Sequence, residues 1–122
     1  MTKKILIDAF YNQLGSLLKQ LTEMYPEDAD FPMFVTTINL IKLTNPMLVV
    51  NIIKEEVADK YKEEIKAKDE KFFMECDYSA DVDINIIHKL KQYVSGMPPS
   101  SKEAIWKYID LISQLAVKIV QS

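Results

Sequence analysis

Hydrophobic positions recur at three- and four-residue steps along most of the chain, and the pattern is broadest in the last stretch. From Ser100 to Gln121, wound at about 100° per residue, Glu103, Lys107, Asp110, Gln114, Lys118 and Gln121 gather on one arc of about 80°. Ala104, Ile105, Tyr108, Ile109, Leu111, Ile112, Leu115, Ala116 and Ile119 fill most of the remainder. Trp106, Val117 and Val120 reach round towards the far edge, and Lys102 and Ser113 are isolated polar interruptions. A surface helix carries an apolar stripe a little over about 100° wide; this one carries roughly twice that. Such a segment cannot stand on the outside of a small domain. It is expected to be the post on which the other helices lean.

Upstream, Leu6, Phe10, Leu14, Leu17, Leu21 and Met24 predict a first helix from about Lys4 to Met24, ended by Tyr25-Pro26. Glu27 to Asp30 is an acidic turn, with Asp30 a candidate cap for a second helix from about Pro32 to Leu43. That helix is expected to face Phe34, Ile38 and Ile41 inward. Asn45 reads as the cap and Pro46 as the first residue of a third helix. The third helix is apolar from Met47 to Ile53 and charged from Lys54 to Lys68. Glu56–Lys60 and Glu64–Lys68 are oriented to pair along it, each worth a few tenths of a kcal/mol. Asp69 to Met74 reads either as its extension or as a separate short turn. Glu75 to Asp83 has no helical period and reads as a loop. Asp83 caps a fourth helix, about Ile84 to Ser95, with Ile87, Leu90 and Val94 inward and Gly96 as C-terminal cap. After the stiff Met97-Pro98-Pro99 link, Ser100 and Glu103 form a capping-box signature. The expectation is all-α: a single domain over residues 1–122, a compact bundle of about five helices packed around the C-terminal helix.

Composition agrees. With 48% hydrophobic residues the chain can build a full core without disulfides or metals, and two glycines leave little room for the tight turns of an all-β fold. The net charge is −3, and every basic residue is lysine. Arginine supplies most bidentate contacts to guanine and phosphate, so its absence argues against sequence-specific nucleic-acid binding. The single cysteine, Cys76, excludes an internal disulfide and fits a reducing compartment. The N-terminal apolar run is too short for a signal peptide, and no window approaches a membrane span. A soluble, intracellular protein with no membrane association is expected.

The blocks Asp69-Glu70-Lys71-Phe72-Phe73, Leu90-Lys91-Gln92-Tyr93-Val94 and Lys102-Glu103-Ala104-Ile105-Trp106-Lys107-Tyr108 carry a likeness, as does Phe10-Tyr11 through Met24-Tyr25-Pro26 with its acidic turn. Together they resemble uncharacterised small helical proteins of large double-stranded DNA viruses, particularly those infecting algae. The resemblance covers most of the chain, and none of its blocks is a motif with known chemistry. It implies a viral protein made in the host cytoplasm or nucleus, or packaged in the virion.

Candidate chemistry is sparse. Asp81, Asp83 and Asn85 match the first odd positions of a calcium-binding loop, but Ile86 stands where glycine is needed and Gln92 where glutamate is needed. One histidine and one cysteine are too few for a structural zinc site, so no metal or other cofactor is expected. Catalysis would need Cys76 beside His88, twelve residues apart, with a third group orienting the imidazole. His88 lies off the apolar stripe of its helix, and no enzyme activity is expected. Lys89, Lys91 and Lys102 are candidates for weak, salt-sensitive contact with phosphates, a disfavoured alternative. The favoured class is protein–protein interaction, with a partner protein or a second copy. Trp106 and Val117 on the last helix, with Phe72, Phe73 and Tyr78 near the acidic loop, are the candidate contacts; the competing assignment for the large aromatics is the core.

Overall fold

A computed structural model of the chain describes residues 2–76 and 86–122. Its order is α1 (Lys3–Met24), α2 (Asp30–Thr44), α3 (Pro46–Ile52), a π-helical turn (Ile53–Ala58), α4 (Lys62–Ala67), α5 (Lys71–Glu75), α6 (Ile86–Tyr93), a 3-10 turn (Val94–Gly96) and α7 (Pro99–Gln121). The fold is all-α, and the described residues include no strand. The expected loop at Glu75–Asp83 and the expected cap at Asp83 fall largely outside the described residues.

The long α7 is the post. It lies against α1, the π turn, α3 and α4, and buries Ile105, Ile109, Ile112, Leu115, Ala116 and Ile119. Enclosure stops short of the full apolar arc, since Leu111 and Val120 stay exposed and Val117 is half-buried. The partner α1 buries the expected Leu6, Phe10, Leu14, Leu17 and Leu21. It begins at Lys3 because the Thr2 hydroxyl accepts the Ile5 amide at 3.3 Å. Tyr11, buried on the same helix, donates its hydroxyl to the Pro46 carbonyl and so ties α1 to the start of α3. Burial pushes that phenol up to about 12.

Several local expectations change. The third helix is not continuous. After α3 the Asp59 amide donates to Lys54, five residues back, at 2.9 Å, which opens the π turn. The chain then breaks at Tyr61 before α4 begins. Glu56–Lys60 pairs as expected, but Glu64–Lys68 does not. Lys68 takes a left-handed φ of 54° to end α4, with its amide donating to Ile65 and the Asp69 amide to Glu64, so its ammonium swings away to Glu103 of α7. Asp69–Met74 resolves into the separate α5.

Caps also move. Asp30 is the first residue of α2 rather than its cap, because Asp28 accepts the Asp30 amide at 3.0 Å and forms the turn itself. Asn45 holds the cap position before Pro46 without a side-chain hydrogen bond. The Ser100–Glu103 capping box does not form, since α7 starts at Pro99 with Pro98 in the cap position, two residues before Ser100, and Glu103 is engaged by Lys68. Gly96 ends a 3-10 turn without a positive φ, so it is no left-handed cap.

No single helix among the described residues is long and apolar enough to cross a membrane; α2 and the Pro46–Ala58 stretch have the apolarity together but meet at 114°.

Candidate functional site

The aromatic candidates of α5 and α7 form a knot inside the fold. Phe72 and Phe73 lie side by side on α5 with ring centroids 5.3 Å apart, and Trp106 of α7 sits 4.8 Å from Phe73 and 6.0 Å from Phe72. Tyr61 closes the knot at 5.4 Å from Phe72. Phe72 is 0%, Phe73 1% and Trp106 5% exposed, so the phenylalanines are core and offer no surface to a partner. The reason is the length of α5: one and a half turns carry two adjacent phenylalanines inward, and the broad apolar face of α7 receives them. Tyr78 lies outside the described residues.

The lysine candidates are mostly occupied. Lys89 of α6 reaches back to the turn between α1 and α2 and pairs with Asp28 at 2.9 Å and Asp30 at 2.7 Å. Tyr93, one turn further on α6, donates its hydroxyl to the same Asp28 carboxylate and stacks on Tyr25 with centroids 3.9 Å apart. These contacts hold the Asp28 carboxyl below its ordinary range, the Tyr93 hydrogen bond foremost, and hold the Lys89 ammonium up at about 12, with Asp30 and then Asp28 as the cause. Lys102 pairs with Glu70 at 3.1 Å. Two of the three lysines assigned to phosphate are thus already neutralised by carboxylates, and Lys91 is half-buried on α6.

Cys76 is buried at the end of α5, and its thiol donates to the Glu56 carbonyl at 3.7 Å, bracing the π turn. His88 is exposed on α6. Among the described residues no group of three histidine, cysteine, aspartate or glutamate side chains is placed to hold a metal ion.

A concavity lies elsewhere: a groove of about 820 Å³ between α7 and the wall made by the end of the π turn and α4. Its apolar lining comes from Ala58, Ile65, Trp106 and Val117, together with Ser113. Ser113 is only 7% exposed, and its hydroxyl has no hydrogen-bond partner among the described residues. Buried hydroxyls are nearly always paired, because an unmet one costs about 1–3 kcal/mol. Lysines rim both sides, Lys62 and Lys66 on α4 with Lys107 and Lys118 on α7. None of these four has a carboxylate within ion-pair distance among the described residues, whereas Asp59 and Glu103 at the same groove are held by Lys54 and Lys68. Asp110 is the remaining acid of the lining.

Sequence reasoning therefore reached two residues of this groove, Trp106 and Val117, through their place at the edge of the α7 apolar arc. It missed Ser113 and the α4 lysines. Ser113 was visible as a polar interruption inside an apolar arc, a signal that marks either an error or a site. The α4 wall had no signal, because its direction depends on the π turn. Comparison of the chain with protein-family models, with curated proteins and with solved structures gives no match.

Proposed function

We propose that this protein is a non-enzymatic interaction protein, a scaffold, virion component or adaptor, and that the groove between α7 and α4 is where it receives a partner. The observation that carries the reading is the uncovered trough itself: apolar at the bottom, with a buried unpaired hydroxyl, and open along α7. Its lining contains no imidazole and no thiol, and two of its three carboxylates are engaged by lysines. That inventory suits recognition better than proton transfer or nucleophilic attack. A second uncharged surface adds support, for Met33, Leu40 and Leu43 of α2 all stand exposed. The viral setting rests on the sequence resemblance alone.

The test is affinity capture from infected host cells with two baits, the wild-type chain and Val117→Glu, which puts a carboxylate into the groove at a half-buried position. A protein recovered with the wild type and lost with Val117→Glu, while circular dichroism shows both baits equally folded, is the expected result. Equal recovery by both baits removes the groove from the proposal. A wild-type chain that recovers nothing and stays monomeric at all concentrations overturns the interaction reading.

A further inference from the structure

We infer that the occupant of this groove is an acidic amphipathic helix of a partner protein, an assignment that rests on the interaction reading of the same groove. The shape is the first ground. Every residue that α7 contributes, from Glu103 to Gln121, falls at steps of three and four, so the trough follows the helix axis for about 27 Å. The opposite wall is shorter, the end of the π turn followed by α4, whose six residues cover about 9 Å. A long slot between two helical walls is the geometry in which an apolar helix face is laid into a groove. An extended peptide would need an open sheet edge, and the described residues contain no strand.

Charge complementarity selects the partner. The chain as a whole carries −3, yet the lining of this groove holds five lysines against three acids, and among the described residues Lys62, Lys66, Lys107 and Lys118 make no ion pair, which leaves the groove net positive. Lys62 and Lys66 are four apart, one turn of α4, and Lys107 and Lys118 stand about 16 Å apart along α7. A helix lying between them with an apolar stripe down and acids on both flanks meets lysine on either side. A basic helix of the same apolar pattern meets a rim of like charge, and a neutral one leaves that charge unmet. Single-stranded nucleic acid fits less well, because the groove is apolar at its floor and its one aromatic ring, Trp106, is packed in the core instead of offering a stacking face.

Trp106 is the chain's only tryptophan and lines the groove, so its emission reports occupancy directly. The probe is a synthetic 18-residue helical peptide with leucine at positions spaced three and four apart and glutamate on both flanks. Its comparators are a twin with lysine in place of glutamate, a scrambled peptide of the same composition, oleate below its micelle concentration and an 18-nucleotide single strand. The expected result is that the glutamate peptide binds at least tenfold more tightly than every comparator. Lys62→Glu combined with Lys66→Glu weakens it at least tenfold, and Lys19→Glu, on the exposed face of α1, leaves it unchanged. Equal binding of the lysine twin, or of the scrambled peptide, overturns the acidic helix as occupant. Tighter binding of oleate or of the single strand does the same, as does sedimentation showing a dimer of the chain that the glutamate peptide fails to dissociate. No binding of the glutamate peptide also rejects it. In each of these cases a partner captured by the wild type and lost with Val117→Glu leaves the interaction reading standing, so the two failures separate.

Discussion

Gly15 sits in the middle of α1, half-buried, and a Cβ built there meets nothing within 4 Å. A glycine inside a helix frees the unfolded chain more than alanine does, so Gly15→Ala is expected to stabilise the protein by about 1 kcal/mol. A urea titration checks this: the midpoint rises and the slope stays fixed. Lys68 is the opposite case, a side chain accepted in the left-handed region because its amide and that of Asp69 close the end of α4. Individual residues of this kind were only partly readable in advance. The inward positions of α1, Phe10 and Leu14 among them, follow from spacing alone, because a long helix with one flank on the core has no other way to bury them. The fates of Phe72, Phe73 and Lys89 do not follow from spacing. Each is decided by a residue more than thirty or fifty positions away, Trp106 in one case and Asp30 in the other, as the 59-residue separation of the Lys89–Asp30 bond illustrates.

Between elements, a shielded polar link joins the α1–α2 turn to α6 through Asp28, Asp30, Lys89 and Tyr93. The Asp28 side chain is 12% and the Lys89 side chain 16% exposed, so the pair is shielded from solvent. Asp28 is held below its ordinary 3.8 in the folded chain, so its contribution is present above that value and is lost as pH falls through the depressed one. Lys89, raised from its ordinary 10.5 to about 12, contributes fully below the ordinary value and loses that contribution as pH rises through about 12. The link is therefore intact between those limits. Asp28→Asn is expected to cost about 1–3 kcal/mol at pH 7, with the deficit against wild type closing in acid below the carboxylate range. Denaturant titrations at pH 7 and at a series of falling pH values below 3.8 measure the deficit and its closing. Proline and the cap positions made most element boundaries legible: Tyr25-Pro26 and Asn45-Pro46 fall where the helices change. The break inside the third predicted helix was not legible, since nothing in Lys54 to Tyr61 lowers helix propensity enough to announce a π turn.

For the molecule as a whole, the breadth of the α7 apolar arc was the informative signal. It called for neighbours on several sides, and α1, α3, α4 and the π turn supply them. What it left open was where coverage would end. The π turn bears on that by carrying one surplus residue relative to a plain helix, which rotates the residues up to the break at Tyr61 by about 100° and advances them by about 1.5 Å, and α4 sets off from there. Excising Glu55, exposed within the turn, is expected to restore ordinary winding with little change in circular dichroism. It also swings Lys62, Ile65 and Lys66 off α7, and Trp106 emission shifts to the red as the Ile65 side loses its cover. Unchanged emission would mean the slot owes nothing to that extra amino acid. The counting of the chain, more than any one side chain, is then what aims α4 at α7 and shapes the room left between them for a third helix.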